Sequence, residues 1–325
     1  MTANCIPPDL LDFIQEGRKF IIVGHKEPDG DCVGSQLVLA SALRRMGKEA
    51  AACSAGPFKR GEVIPYERFF VPVPVDKAGL RAIVVDCSEV DRVGDLKPCL
   101  EGLPLAIIDH HLVREAGPAT GPCFVDAFAS SSTLMVFWLI EALGLEPTRE
   151  EAELLFLGLC TDTGFFRYVN MQGAAAFDAA AALVRLGADP KATYHAIHSG
   201  KSLESRKLLG SILARAELHY GGKLVYSCEE YEESFKFGLE SRDSDTMYQL
   251  FQSISGVEAI VVVRQETPEY CSIGLRSRDG VNVGDLAASF GGGGHKQAAG
   301  FKANGTINSI KPLIIDAFGK VFGDA

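Results

Sequence analysis

The stretch LAIIDHHLV, residues 105–113, joins a short apolar run to one carboxylate and two imidazoles. An unbroken apolar run of this length is typical of a strand buried on both faces, as in a parallel sheet. Asp109, His110 and His111 then stand where the strand leaves the core. A buried strand has no structural need for three ionisable side chains, because burying them without partners is costly. The stretch therefore predicts a parallel sheet with a functional site at its edge.

Similar apolar runs alternate with predicted helices along the first 190 residues. KFIIVGH (19–25) and RAIVVDC (81–87) have the same buried-strand pattern. The segments with helical spacing are residues 35–47, 131–144, 149–160 and 173–187. Unbroken apolar strands between helices indicate an α/β fold in which a parallel sheet is covered on both faces.

The chain is long enough for two domains. Residues 191–220 are more polar and predict a helical connector. The strand-like segments beyond it are KLVYSC (223–228), EAIVVVRQ (258–265) and YCSIGLRS (270–277). We therefore expect a first domain over residues 1–190 and a smaller α/β domain over residues 221–325, with the active site in the cleft between them.

Composition limits the classes of protein that fit. The chain has 325 residues, of which 47% are hydrophobic, and a net charge of −10. It lacks the basic surface that a broad grip on long nucleic acid requires, so no long duplex is expected as a partner. No signal-peptide layout and no membrane-length apolar run is present, so we expect no membrane partner. Nine scattered cysteines without a CxxC pair also fit a cytoplasmic protein.

Metal-ligating side chains follow the three predicted strands of the first domain and the end of one helix. They are His25, Asp29, Asp31, Asp86, His110 and Asp162. Ligands of open α/β sheets bind beyond the carboxyl ends of the strands, so these side chains are expected to converge. So many carboxylates require cations to neutralise them, and six ligands suit two divalent ions better than one catalytic zinc. Carboxylate and imidazole ligands without sulfur favour Mn²⁺, with Mg²⁺, Co²⁺ and Fe²⁺ left open.

A glycine-rich segment of the second domain is a further candidate site. In FGGGGHKQAAGF (290–301), the backbone amides of residues such as Gly293 and Gly294 can approach an anion closely. His295 follows them directly, and Arg276 ends a predicted strand, where it is a candidate for a forked contact with phosphate. We therefore expect this domain to bind a phosphate or carboxylate group of the substrate.

Five segments together resemble the DHH phosphoesterase superfamily. They are GHKEPDGDCVGS (24–35), IVVDCSEVDR (83–92), IIDHH (107–111), LCTDTGFFRY (159–168) and FGGGGHKQAAGF (290–301). The first four resemble the motifs of a metal-binding, catalytic DHH domain. The fifth resembles the glycine-rich motif of the DHH-associated, substrate-binding C-terminal domain. The match covers nearly the whole chain, whose compact size resembles the branch of oligoribonucleases (nanoRNases) and pAp phosphatases.

The resemblance also implies a role for each candidate residue. The implied ligands are His25 and Asp29 for one metal ion, Asp31, His110 and Asp162 for the other, and Asp86 as the bridge between them. His111 would act as general acid or contact the substrate phosphate, and Asp109 would orient the imidazoles. Phe165, Phe166 and Tyr168 would either stack on a base or pack against the preceding helix.

The resemblance implies a hydrolase in which water activated by two metal ions attacks phosphorus. The expected substrates are oligoribonucleotides of about two to five nucleotides and 3′-phosphoadenosine 5′-phosphate (pAp), which would give AMP. Cleavage of cyclic dinucleotides or of their linear products is an alternative. So are hydrolysis of pyrophosphate or polyphosphate and nucleotide binding without turnover. A homodimer is expected from the family alone.

Overall fold

The computed structural model describes residues 6–74, 76–111, 121–239, 242–278 and 280–323. It contains two compact units, Met1–Gly200 and Lys201–Ala325. Each unit has its own β-sheet, covered by helices, and its own hydrophobic core. The α/β fold class expected from the sequence is therefore confirmed.

The first unit is built on five parallel strands in the order β2-β1-β3-β4-β5. The strands are β1 (Lys19–Val23), β2 (Glu49–Cys53), β3 (Leu80–Val85), β4 (Leu105–Asp109) and β5 (Cys123–Val125). The helices are α1 (Pro8–Glu16), α2 (Gly30–Arg45), α3 (Lys97–Leu100), α4 (Ser132–Ala142), α5 (Arg149–Asp162), α6 (Ala174–Arg185) and α7 (Pro190–His198). Short 3-10 helices cover Ile64–Phe69 and Val90–Leu96.

Both faces of this sheet are buried. Ile22 of β1 packs into one core together with residues of α2, α4 and α5. Ile21 and Val23 point to the opposite face and pack into a second core. Successive residues of a strand face opposite sides of the sheet, so an unbroken apolar strand serves two cores at once.

The second unit carries a mixed six-stranded sheet in the order β10-β11-β9-β8-β7-β6, in which only the described β7 and β8 run parallel. The strands are β6 (Glu217–His219), β7 (Leu224–Glu229), β8 (Ala259–Thr267), β9 (Tyr270–Ser277), β10 (Gly293–His295) and β11 (Ala298–Asn304). The helices are α8 (Leu203–Ala214), α9 (Tyr231–Phe237), α10 (Ser244–Gln252), α11 (Val283–Ser289) and α12 (Ile307–Phe322). A short 3-10 helix covers Tyr220–Gly222.

Several local features differ from the sequence-based expectation. Strands β2 and β5 were not predicted, because EAAAC is rich in alanine and CFV is only three residues long. The predicted connector is not helical throughout, because its last part forms β6, which pairs with β7 at the edge of the second sheet.

Within the described parts of the chain, none of the helices is both long and apolar enough to cross a membrane.

Candidate metal centre

The carboxyl ends of three adjacent parallel strands bring the candidate residues together. His25 lies two residues after β1, Asp86 directly follows β3, and Asp109 ends β4. Parallel strands end on the same edge of a sheet, so these side chains share one edge. The remaining carboxylates come from the first turn of α2 and the last residue of α5.

The start of α2 holds two aspartates in different ways. Asp29 caps the helix, and its Oδ1 accepts hydrogen bonds from the backbone amides of Asp31 and Cys32, each at 3.1 Å. Asp31 is fully buried, and its carboxylate accepts from the Ser132 amide at 2.6 Å and the Thr133 amide at 2.8 Å. Because these amides begin α4, the positive end of the helix dipole stabilises the buried Asp31 charge.

Close packing of α2 against α5 brings Asp31 near Asp162. A Cβ atom at Gly30 would lie 2.6 Å from Thr161 Oγ1, and one at Gly34 would lie 2.7 Å from the Leu154 carbonyl oxygen. Gly30 is the first residue of α2 and has no left-handed φ angle. Its small size instead lets the two helices approach.

Asp86 lies at the middle of the cluster, with its two oxygens turned toward different histidines. Its Oδ2 is 3.3 Å from His25 Nε2, and its Oδ1 is 3.6 Å from His110 Nε2. Ser132 Oγ donates a hydrogen bond to Oδ1 at 3.1 Å. The backbone of Asp86 is left-handed, with φ of 60°. Such strained conformations persist where the surrounding structure holds them, often at functional sites.

The two histidines present Nε2 to the carboxylates. His25 Nδ1 donates to the Lys26 carbonyl at 2.8 Å, which fixes the ring and turns Nε2 into the cluster. His110 Nε2 is buried near oxygens of Asp162 at 3.2 Å, Asp86 at 3.6 Å and Asp31 at 3.8 Å. It has no hydrogen-bond partner among the described residues. An unsatisfied nitrogen surrounded by carboxylate oxygens fits a site for divalent cations.

The pKa shifts of the cluster also indicate a site for divalent cations. Burial, and then repulsion by Asp31, raises the pKa of Asp86 well above its ordinary value. Burial, followed by the charges of Asp31 and Asp29, raises the pKa of Asp162 to about 8. Burial opposes the charged form of His25, but hydrogen bonding to Asp29 and Asp86 outweighs it and raises the pKa of that imidazole. The cluster therefore retains protons that a bound cation would replace.

The metal-free protein is expected to lose stability as the pH rises from about 4 to about 8. Between its ordinary pKa of 3.8 and its folded value of about 8, Asp162 is protonated in the folded state and ionised in the unfolded state. Raising the pH therefore favours unfolding. The raised pKa values of Asp86 and His25 act in the same direction, whereas the lowered pKa of Asp29 acts only in more acidic solution.

Thermal unfolding of chelator-treated protein across this pH range measures the effect. Added Mn²⁺ should raise the melting temperature more at pH 8 than at pH 5, because metal competes with protons for the same ligands. A metal-free melting temperature that increases steadily from pH 5 to pH 8 would contradict the raised pKa values.

Asp109 and His111 form a hydrogen-bonded pair at the edge of the cluster, where His111 Nδ1 also lies 3.8 Å from Asp86 Oδ1. His111 Nδ1 lies 2.7 Å from Asp109 Oδ1, and Ser88 Oγ donates to Asp109 Oδ2 at 2.5 Å. Burial would raise the pKa of Asp109, but the hydrogen bonds from His111 and Ser88 outweigh it and lower that pKa. The His111 side chain is 44% exposed, so its Nε2 is the ring nitrogen available to a ligand.

Several residues at the site were not found from the sequence. Ser132 and Thr133 bind Asp31 and Asp86, and the run SSST at a predicted helix start was a capping signal that could have found them. Cys32 lies close to His25 and Asp86. Burial raises the pKa of the Cys32 thiol to about 12 in the metal-free protein.

Two candidate residues of the second unit, Arg276 and His295, lie on one rung of its sheet. His295 of β10 pairs with Ala298 of β11, which pairs with Arg276 of β9. Directly paired residues face the same side, so Arg276 and His295 lie on one face roughly 10 Å apart. The Arg276 guanidinium lies 4.5 Å from the centre of the Tyr248 ring.

The glycine-rich segment has a packing role as well. Gly294 has φ of 144°, and a Cβ atom there would lie 2.5 Å from the Ala298 carbonyl oxygen. A Cβ atom at Gly292 would collide with the Gly300 carbonyl. Gly293, in contrast, is exposed and has open space around its Cβ position. Close approach of β10 to β11 therefore explains two of the glycines, whereas Gly291 and Gly293 have open space around their Cβ positions.

The three aromatic residues after α5 have two different environments. Phe165 and Phe166 are partly buried and pack near Phe156 of α5, each with a ring-centre separation of 6.3 Å. Tyr168 remains 62% exposed. The packing alternative therefore holds for the two phenylalanines and not for the tyrosine.

Fold and site together define an α/β protein with a candidate centre for divalent metal ions. Residues 19–159 match the DHH family, N-terminal domain, and residues 221–321 match the DHHA1 domain. The chain therefore belongs to the DHH family of metal-dependent phosphoesterases.

Two relatives carry assigned activities. The bifunctional oligoribonuclease and PAP phosphatase NrnA of Thermus thermophilus is 32% identical over 289 residues, covering 87% of this chain and 84% of that protein. The cyclic-di-AMP phosphodiesterase PdeA of Listeria monocytogenes is 25% identical over 339 residues, covering 97% of this chain. The match covers 49% of PdeA, so this chain spans about half the length of that relative.

Solved structures share the fold. An exopolyphosphatase-related protein from Bacteroides fragilis matches with a TM-score of 0.83 at 23% identity, covering 97% of this chain and 96% of that one. RecJ from Thermus thermophilus, solved in complex with Mn²⁺, matches with a TM-score of 0.54 at 17% identity, covering 97% and 54%. A protein of this fold thus binds Mn²⁺.

Proposed function

We propose that this protein hydrolyses short oligoribonucleotides to mononucleotides and converts pAp to AMP. The substrate class is supported by the 32% identity to NrnA over most of both chains. The chemistry is supported by the convergence of six candidate ligands with the His111–Asp109 pair at one sheet edge. The single observation that carries the two-ion proposal is Asp86, whose two oxygens face His25 and His110 separately.

The candidate ligands would be shared between two divalent ions. His25 and Asp29 would hold one divalent ion, Asp31, His110 and Asp162 the other, and Asp86 both. Mn²⁺ is our first choice, because the proposed set contains nitrogen and oxygen donors and no thiolate. Two such ions would supply an activated water and neutralise charge on the phosphate.

Groups of the protein itself would orient a metal ligand and protonate the leaving oxygen. The Ser132 and Thr133 amides hold Asp31 in place, so its oxygens keep a fixed position in the cluster. Asp109 holds the His111 ring by Nδ1, which leaves Nε2 to give a proton to the departing oxygen. The hydrogen bonds from His111 and Ser88 outweigh burial and keep the pKa of Asp109 below its ordinary value, so Asp109 faces the His111 ring as a carboxylate.

We also propose that Arg276, Gly293, Gly294 and His295 bind a phosphate or nucleotide group of the substrate. Across the described ranges, no carboxylate forms an ion pair with Arg276, and its shared face with His295 gives two groups for an anion. This assignment is compatible with a net charge of −10, because the attraction is local.

A panel of substrates tests the proposal. Mn²⁺-loaded protein is offered a dinucleotide, an RNA pentamer, a long RNA, pAp, a cyclic dinucleotide and pyrophosphate, and products are separated by chromatography. Rapid release of mononucleotides from the short RNAs, slow attack on the long RNA and conversion of pAp are expected. Turnover confined to the cyclic dinucleotide would favour the activity that PdeA carries in its name. Turnover of pyrophosphate alone would refute the proposal.

A further inference from the structure

A pocket of about 180 Å³ lies directly beside the candidate metal centre and shares Asp162 with the site proposed above. Two segments of the first unit form it, residues 127–130 and residues 162–173. The side chains that matter most in its lining are Phe128, Ser130, Asp162, Tyr168, Asn170 and Gln172. Because Asp162 belongs to both sites, a molecule with its phosphate at the metal centre has a neighbouring group within reach of the pocket.

The first segment holds Phe128 close to the elements that build the centre. The Asp126 amide donates to the Asp109 carbonyl at 3.0 Å, which ties the segment to the end of β4. The Phe128 amide donates to Asp126 Oδ1 at 2.9 Å. Ser131 then caps α4, the helix whose first amides bind Asp31. The backbone of Phe128 is thus fixed, although its side chain is 70% exposed.

The second segment holds Tyr168 just as firmly. Gly164, Phe165 and Phe166 all have left-handed φ angles, between 56° and 68°. Two consecutive left-handed phenylalanines are strained, and they reverse the chain directly after Asp162. The Tyr168 amide then donates to the Thr163 carbonyl at 3.0 Å. A Cβ atom at Gly164 would lie 2.5 Å from Tyr168 Cε2, so the tyrosine ring rests directly on that glycine.

Packing does not explain why the aromatic rings of Phe128 and Tyr168 are exposed beside a candidate phosphate site. Phe165 and Phe166, from the same turn, bury much of their surface against the helical core. Phe128 and Tyr168 do not, and large apolar groups kept in water on rigid backbone are typical of binding surfaces. The pocket wall also contains the side-chain amides of Asn170 and Gln172, which can both donate and accept hydrogen bonds.

We infer that this pocket binds one nucleobase of the substrate, between the rings of Phe128 and Tyr168. The inference rests on the proposed function, because it takes the substrate to be a nucleotide. Aromatic rings stack on any base, and the amides offer contacts to a base edge. The volume is below the roughly 300 Å³ at which sites for whole drug-sized ligands begin, so it suits a single ring system. The base is the one attached to the nucleotide whose phosphate meets Asp162.

The test compares an intact dinucleotide with two analogues, each of which lacks one base. The variant protein carries Phe128→Leu and Tyr168→Leu, which keep apolar side chains and remove the aromatic faces. On the intact dinucleotide, kcat/KM is expected to fall about 10- to 100-fold, mainly through KM. On the analogue that lacks the base bound in the pocket, wild-type protein is already slow by a similar factor, and the variant is no slower.

Two controls separate this role from a structural one. Met171 is fully exposed on the same segment and does not line the pocket, so Met171→Ala should keep wild-type kinetics on all three substrates. Tyr168→Phe keeps the aromatic ring, so it should lose much less activity on the intact dinucleotide than the leucine variant does. Both variants, like the leucine variant, should melt at the wild-type temperature, because the changed side chains are exposed.

The outcomes are distinct. Equal loss on all three substrates, or no loss on any, would overturn the nucleobase pocket while leaving the proposed function in place. A variant that is slow on the intact dinucleotide and on the analogue that keeps the base bound in the pocket, but indistinguishable from wild type on the analogue that lacks that base, would support it. Wild-type protein that cleaves none of the three substrates would overturn the proposed function and this inference with it.

Discussion

Asp86→Asn is expected to lower kcat/KM for a short RNA by at least about 1,000-fold. This loss corresponds to about 4 kcal/mol, within the several kcal/mol that metal ions contribute to stabilising transition-state charge. The Asp86 carboxylate faces His25 with one oxygen and His110 with the other, so its loss should affect both proposed ions. Asparagine is preferred to alanine because the position is left-handed, with φ of 60°, and asparagine tolerates that conformation well.

Metal binding is the second measurement for this variant. Calorimetric titration with Mn²⁺ should show weakened binding in Asp86→Asn, and the rise in melting temperature on adding Mn²⁺ should shrink. Without metal the variant should be at least as stable as wild type near neutral pH, because it lacks a buried carboxylate that crowds Asp31.

The matched control is Asp91→Asn. Asp91 follows the same strand, but its side chain is exposed and pairs with Lys97, away from the cluster. Its variant should keep wild-type activity and wild-type affinity for Mn²⁺. An Asp86→Asn protein that binds Mn²⁺ normally and turns over at the wild-type rate would eliminate the two-ion assignment.

His111→Ala is expected to keep its metal and lose rate by about 100- to 10,000-fold on a dinucleotide. The ring is bound to Asp109 through Nδ1 and is not needed to complete the cluster of six candidate ligands. Mn²⁺ affinity should therefore change little. The loss should appear mainly in kcat, because the proton is needed at the step in which the leaving oxygen departs.

A change of leaving group separates proton donation from simple contact with the phosphate. A nucleoside leaving group needs a proton, whereas p-nitrophenolate leaves readily without one. The His111→Ala variant should consequently lose far less activity on a p-nitrophenyl ester of a nucleotide than on a dinucleotide. Equal losses on both substrates would exclude the general-acid role and leave a role in phosphate binding.

His195→Ala serves as the comparison for this experiment. His195 is an exposed histidine of α7, and its ring lies 3.1 Å from Ser199 Oγ. Its removal should change neither the rate nor the ratio between the two leaving groups. The contrast with His111→Ala would then reflect position and not the mere loss of an imidazole.

The ends of β1, β3 and β4 could be predicted from the sequence because the pattern that marks them is local. Short apolar runs alternate with helical segments, and each run that forms β1, β3 and β4 is followed within a few residues by Asp or His. Strands β2, β5, β6, β10 and β11 were missed because short or alanine-rich strands carry little local signal. Their pairing depends on a neighbouring strand that is already in place.

The sequence indicated which residues are important more clearly than it indicated the role of each one. Gly30 is needed for the close approach of Thr161 from another helix, a role that the sequence did not indicate. The glycine run at residues 291–294 suggested a phosphate loop, yet two of its members are required by the packing of β10 against β11. A glycine looks the same in sequence whether it serves backbone conformation, close packing or ligand access.

By itself, the sequence determined the α/β class, the parallel first sheet and the side chains that stand at its carboxyl edge. The period of the apolar residues contains that information, because strand and helix periods are properties of the local chain. Only the tertiary structure decided which atoms meet. The hydrogen bond from the Ser132 amide to Asp31 spans 101 residues, and it exists because α2, α4 and α5 pack together. The same packing turns the two oxygens of Asp86 toward different histidines and leaves Phe128 and Tyr168 exposed beside Asp162.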